Sequence, residues 1–187
     1  DKKFRTEDGY ITTFSQEVPI VSDNAEFANA FQVTKYRKLS STSDMVGKIS
    51  FFGKTITGLS DDVRISKRLN VPSSRLRGFE RGKVGPVENN DYIGGNHIST
   101  LNLSATLPTV VEGLDNLDIG VFFDAANVWG VDYNSSLDDN NKIRSSTGVA
   151  LNLMTPIGPL SFSFANAITK ASTDKTETFR FNLGTQF

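Results

Sequence analysis

The chain has no cysteine and a single histidine. The first absence removes disulfides, thiolate metal sites and thiol nucleophiles, so the fold rests on packing and backbone pairing. The second leaves no imidazole cluster for a metal, and His97 stands outside any Ser-His-Asp spacing. Neither sign of charge predominates, with 20 Lys and Arg against 21 Asp and Glu, which gives no electrostatic case for binding nucleic acid. No apolar run approaches the ~20 residues of a membrane helix. The opening Asp1-Lys2-Lys3-Phe4 has neither an initiator Met nor a signal-peptide core, as expected of a processed or excised piece. We expect no cofactor, no metal and no enzymatic chemistry.

What the sequence does contain is alternation. Leu101, Leu103, Ala105 and Leu107 interleave with Thr100, Asn102, Ser104 and Thr106, which places apolar and polar side chains on opposite faces of a strand. The same period of two marks residues 10–18, 27–36, 45–56, 97–107, 117–129, 147–154, 160–168 and 178–187, eight segments in all. No segment sustains a 3.6-residue period over three turns. The expected fold is therefore all-β and antiparallel, with helix content near nil.

Two architectures satisfy that pattern: a soluble sandwich with a dry core, and a transmembrane barrel with lipid outside and a polar lumen. The polar face favours the barrel. Instead of the Lys and Glu of a solvated face, the last strands carry Ser161, Ser163, Ala165, Asn182, Gly184 and Gln186, small neutral groups suited to a crowded lumen. Strands of about ten residues also suit a tilted membrane crossing better than the soluble norm of about five or six. In "ETFRFNLGTQF" the stripe Phe179, Phe181, Leu183 and Phe187 runs to the last residue, placing a terminal aromatic at the membrane interface. Connections alternate short and long, as in outer-membrane barrels, with residues 59–94 by far the longest.

Two local patterns are set aside. "DYNSSLDDNNK" lacks the glycine and terminal glutamate spacing of a calcium loop and reads as a solvated loop outside the barrel. "GFERGKV" is one residue short of a phosphate loop, with no Ser or Thr after the lysine.

"RLRGFERGKVGP", "YIGGN", "FFDAANVW", "IRSSTGVALNLMTPIGPLSFSFA" and "FRFNLGTQF" occur in one order along the chain. Together they resemble the C-terminal barrel half of the BamA family of outer-membrane β-barrel assembly insertases, within the bacterial surface antigen superfamily. The resemblance implies a barrel of sixteen strands, an even number as single-chain outer-membrane barrels require. Residues 1–187 would supply its last eight, with the first half and the periplasmic POTRA domains elsewhere in a larger protein. An eight-stranded barrel closed on itself would leave no interior space for residues 59–94.

The resemblance also implies that this loop folds inward, Arg77-Gly78-Phe79 docking on the wall with Arg77 paired to a carboxylate. Parity along "LDIGVFFDAANVW" turns Asp118, Phe122 and Asp124 inward, making Asp124 the expected partner of Arg77 and Phe122 the expected neighbour of Phe79. Relatives carry a second acid on the preceding strand, at the place assigned here to Ser104, and "NVPSS" replaces their Gly-Gly stretch. Arg75 and Arg81 are expected to be solvated loop charges. The implied function is folding and insertion of client barrels at a lateral seam formed partly by Phe179, Phe181, Leu183, Gly184 and Phe187. Gly184 is expected to weaken the strand there. Partners would be the outer-membrane bilayer, unfolded outer-membrane proteins and accessory lipoproteins. A translocation and assembly module or two-partner secretion barrel, a porin-like channel and a soluble adhesive sandwich are the alternatives.

Overall fold

The computed structural model describes residues 6–19, 25–107, 116–137, 139, 142–155 and 158–183. Its main body is one antiparallel sheet of eight strands, formed by β1 (Gly9–Glu17), β2 (Glu26–Lys38), β3 (Val46–Gly58), β6 (His97–Thr106), β7 (Leu117–Trp129), β8 (Arg144–Thr155), β9 (Gly158–Thr169) and β10 (Phe179–Leu183). Each long strand pairs with its predecessor, the order expected of consecutive hairpins. The connection from β3 to β6 holds a two-stranded hairpin, β4 (Val87–Glu88) with β5 (Asp91–Tyr92), and one 3₁₀ turn, Ile65–Lys67. A second 3₁₀ turn, Ser135–Leu137, completes the helical content among the described residues.

Alternation in the sequence becomes two faces of opposite character. One face presents Ile49, Phe51, Leu101, Leu103, Val121, Val149, Phe164, Phe179, Phe181 and Leu183, all exposed. Cross-strand register aligns them: Ala105, Val121, Val149, Phe164 and Phe179 form one row across five strands. The other face is polar or small and yet covered. Its row Thr34, Ser50, Asn102, Asp124, Ser146 and Ala167 includes four residues at most 4% exposed. A soluble sandwich would bury the first face and wet the second, so the polarity is that of a barrel wall in lipid.

The sheet is open, with β1 and β10 at its ends. What covers the inner face is the chain itself. Val71, Leu76, Phe79 and Val84 from the β3–β6 connection pack on Ile98, Ala126 and Val128 of the wall. Most strand ends differ by one or two residues from the sequence expectation, and three features differ further. The strand expected at residues 147–154 begins at Arg144, because Ser145 and Ser146 continue its pairing to β7 and, across a register shift, to β9. The expected last strand, 178–187, is described only as far as Leu183, so Gly184 and Phe187 lie outside the described residues. The stretch "DYNSSLDDNNK", expected to lie in solvent, binds Arg68 of the β3–β6 connection through Asp132 and the inward Arg144 through Asp139, and Asp174 of the β9–β10 connection joins it on Arg144.

Charge on the outer face should therefore be costly. In the complete barrel, Val149→Arg, near the middle of twelve-residue β8, is expected to destabilise the folded state by about 2–4 kcal/mol. Asn152→Lys on the inner face is expected to stay within about 0.5 kcal/mol. Urea midpoints of the barrel in lipid vesicles measure both.

Candidate functional site

Asp124 lies on β7, two residues beyond Phe122 and on the same inward side, and its carboxylate is fully buried. Four donors reach it. Arg77 gives Nε–H to Oδ2 at 2.7 Å and Nη2–H to Oδ1 at 2.9 Å, a bidentate fork, and its backbone N–H meets Oδ2 at 3.1 Å. Asn102 Nδ2–H meets Oδ1 at 2.8 Å. Two carboxylate oxygens offer about four acceptor sites, so the group is satisfied without water.

The arginine is also held from below. Its guanidinium carbon lies 3.4 Å from the centroid of the Phe122 ring, a stacked cation–π contact. Phe122 can lie there because its cross-strand neighbour is Gly148: a Cβ at that position would fall 2.8 Å from the ring and 2.0 Å from the Phe164 carbonyl oxygen. The backbone completes the dock, with Ser146 Oγ–H donating to the Arg77 carbonyl at 2.5 Å. Gly78 follows at φ +86°, and a Cβ there would press on Ala165 and Ser146 at 3.1 and 3.2 Å. Both features require glycine.

Several neighbours differ from the sequence expectation. Phe122 serves as a floor for Arg77, whereas Phe79 is buried among Val71, Leu76, Val84, Ile98, Ala126 and Val128. The residue opposite Asp124 on the preceding strand is Asn102; Ser104 pairs with Phe122. Asn102 supplies a donor where a second carboxylate would add an acceptor. Arg75, expected in solvent, is half-buried, stacked 4.2 Å above the Phe52 ring and bonded to Gln32 Oε1 at 2.6 Å. Arg81 is exposed. Asp118 lines the same 410 Å³ inner cavity as Arg77.

Two further arginine sites escaped sequence reasoning. Arg144, fully buried, forks onto Asp174 through Nε–H to Oδ2 at 2.9 Å and Nη2–H to Oδ1 at 3.1 Å, and reaches Asp139 Oδ2 at 2.6 Å. Gly85 N–H also points to Asp174, at 3.4 Å, so this pair pins a second part of the loop. The signal was parity: Arg144 and Ser146 share the inward side of β8. Arg68 pairs with Asp132, which also accepts from Val63 N–H at 2.7 Å and Asn96 Nδ2–H at 2.9 Å. Burial would raise the Asp132 carboxyl, but these bonds and the Arg68 charge outweigh it and hold it below the usual carboxylate range. Arg68 Nε and Nη1 have no acceptor among the described residues, so this pair is less completely satisfied than the one at Asp124.

Among the described residues no group of three or more His, Cys, Asp or Glu could hold a metal. His97 bonds Thr55 through Nδ1 at 2.7 Å and packs on Trp129, a structural position in the wall. Phe179, Phe181 and Leu183 line the outer face of the terminal strand, pairing with Phe164, Phe162 and Leu160.

The Omp85 superfamily domain matches residues 1–187. The chain is 29% identical over 144 residues to the outer membrane protein assembly factor BamA of Neisseria meningitidis, covering 60% of the chain and 17% of that protein. To the protein of the same name from Neorickettsia risticii it is 24% identical over 191 residues, covering 100% of the chain and 26% of the relative. A crystal structure of BamA from Haemophilus ducreyi lacking POTRA domains 1–3 superposes with a TM-score of 0.87 at 26% identity, over 97% of this chain and 39% of that one. The chain thus spans well under half the length of each.

Breaking one side of a buried pair leaves an uncompensated charge. Asp124→Ala in the complete barrel is expected to cost about 3–5 kcal/mol. The double variant Arg77→Met/Asp124→Ala should cost less than the sum of the two single changes. Denaturation midpoints of the four proteins measure the coupling.

Proposed function

The chain belongs to the Omp85 superfamily, and from that premise we propose that it forms the C-terminal part of an outer-membrane barrel that folds and inserts other β-barrel proteins. The observation that carries this reading is the loop docked inside the sheet by Arg77 and Asp124. A passive channel needs an open lumen lined with rings of charge, whereas here residues 59–94 turn inward and pack their own apolar cluster on the wall. An assembly factor needs a wall that is firm except at one seam. Unpaired N–H and C=O groups are costly in hydrocarbon, so an exposed strand edge recruits another strand, and a client can pair there before budding into lipid.

In this reading β10 is one side of the seam, the apolar outer face meets the outer-membrane bilayer, and unfolded outer-membrane proteins are the clients. Accessory lipoproteins complete the assembly. The work is conformational, and no residue acts as a nucleophile, acid or base.

The test uses the full-length protein in proteoliposomes, scoring assembly of a reporter outer-membrane barrel. Arg77→Ala and Asp124→Ala are each expected to slow assembly about tenfold or more, as loss of a positioning element does. The charge-reversed pair Arg77→Asp/Asp124→Arg should recover part of the rate. Normal assembly by both folded single variants, or a large steady single-channel conductance in the wild type, would sink the proposal.

A further inference from the structure

The terminal strand is tied to the docked loop as well as to β9. Arg180, the one charged residue of β10 (Phe179–Leu183), turns inward with only 10% of its side chain exposed. All three guanidinium nitrogens are engaged. Nη1–H donates to the Ser73 carbonyl and Nη2–H to the Phe79 carbonyl, each at 2.5 Å, and Nε–H donates to Glu177. The two carbonyls bracket Arg77, so the residue that docks the loop on β7 sits between the two points at which β10 grips it.

The approach to β10 runs along the same loop. Glu80 N–H meets the Lys175 carbonyl at 3.0 Å, Lys175 N–H meets Lys83 at 3.1 Å and Glu177 N–H meets Gly78 at 3.1 Å, around a bridge between Phe79 and Thr176. Residues 171–177 thus pair with the loop before the chain enters the wall, and Arg180 is the last tie. The described part of β10 pairs with Leu160–Phe164 of β9.

We propose that Arg180 is a positioning residue that couples the docked state of the lumen loop to the register of the terminal strand, so that undocking the loop loosens β10. A planar fork holding two carbonyls fixes both direction and distance, which a point charge does not. Use of this coupling to open a seam rests on the assembly function proposed above; the coupling itself does not.

Hydrogen exchange by mass spectrometry on the full-length protein in lipid nanodiscs tests it, comparing wild type with Arg180→Gln, Arg180→Lys and Asp124→Ala. Arg180→Gln is expected to speed exchange of the β10 amides about tenfold, a local opening, while the segment around Asp124 keeps wild-type protection. Arg180→Lys should lie between the two. Asp124→Ala, which acts on β10 only through the loop, should speed exchange in both loop and strand. The coupling is overturned if β10 in Arg180→Gln exchanges as in wild type, or if Asp124→Ala frees the loop and leaves β10 protected. Should Arg180→Gln fail to fold, Arg180→Lys carries the same comparison. Reporter assembly scored in parallel separates the two claims: altered β10 exchange with normal assembly upholds the coupling and counts against the function.

Discussion

A carboxylate with no access to water must be fully satisfied or it destabilises the fold that buries it. Asp124 is in that position, and the four N–H groups that answer it come from two places, the loop and the neighbouring strand. The loop cannot leave without stripping three of them. Around this group the other local choices follow. Phe122 must offer its face to Arg77, Gly148 must make room for Phe122, and Gly78 must take a left-handed turn between Ser146 and Ala165. The inner wall is thus built around one anion.

Location gives such pairs their leverage. An exposed ion pair contributes about 0–1 kcal/mol, because water solvates both partners when they part. Arg77–Asp124 and Arg144–Asp174 lie inside, where separation would leave a desolvated charge behind. One pair holds the loop at residue 77, and the other, through Asp174, meets Gly85. Two latches some eight residues apart fix an orientation, where a single latch would leave a pivot.

The strands and their faces were legible because a period of two is a local property: side chains i and i+2 share a face whatever the rest of the chain does. Parity likewise placed Asp124 and Phe122 on the inner side, and family resemblance directed Arg77 to them. The rest depended on contacts between segments far apart in sequence. Ile143-Arg144-Ser145-Ser146 shows no apolar alternation and so reads as a connection, although pairing with β7 begins at Arg144. Asp132 and Asp139 read as solvated loop acids, and only the fold brings Arg68 and Arg144 to them, with Asp174 joining the second. Asn102 lies opposite Asp124 and Ser104 opposite Phe122, a distinction that register between strands decides and composition does not.

The same distinction bears on what fixes a strand in such a wall. Outward side chains face lipid tails that are as apolar as they are, so little hydrophobic force discriminates one placement from another. Phe179, Phe181 and Leu183 meet Phe164, Phe162 and Leu160 across the strands; a slip of two residues would still pair apolar with apolar and keep every backbone bond type. The lipid face therefore specifies parity but hardly register. Register must come from the inner face, where Ser161, Ser163 and Ala165 are too small to discriminate strongly. That leaves Arg180, whose two bonds to the loop carbonyls of Ser73 and Phe79 would break on a two-residue slip, while its bond to Glu177 travels with the strand. A wall that meets lipid on its apolar side takes its alignment from its few inward charges, and in β10 there is one.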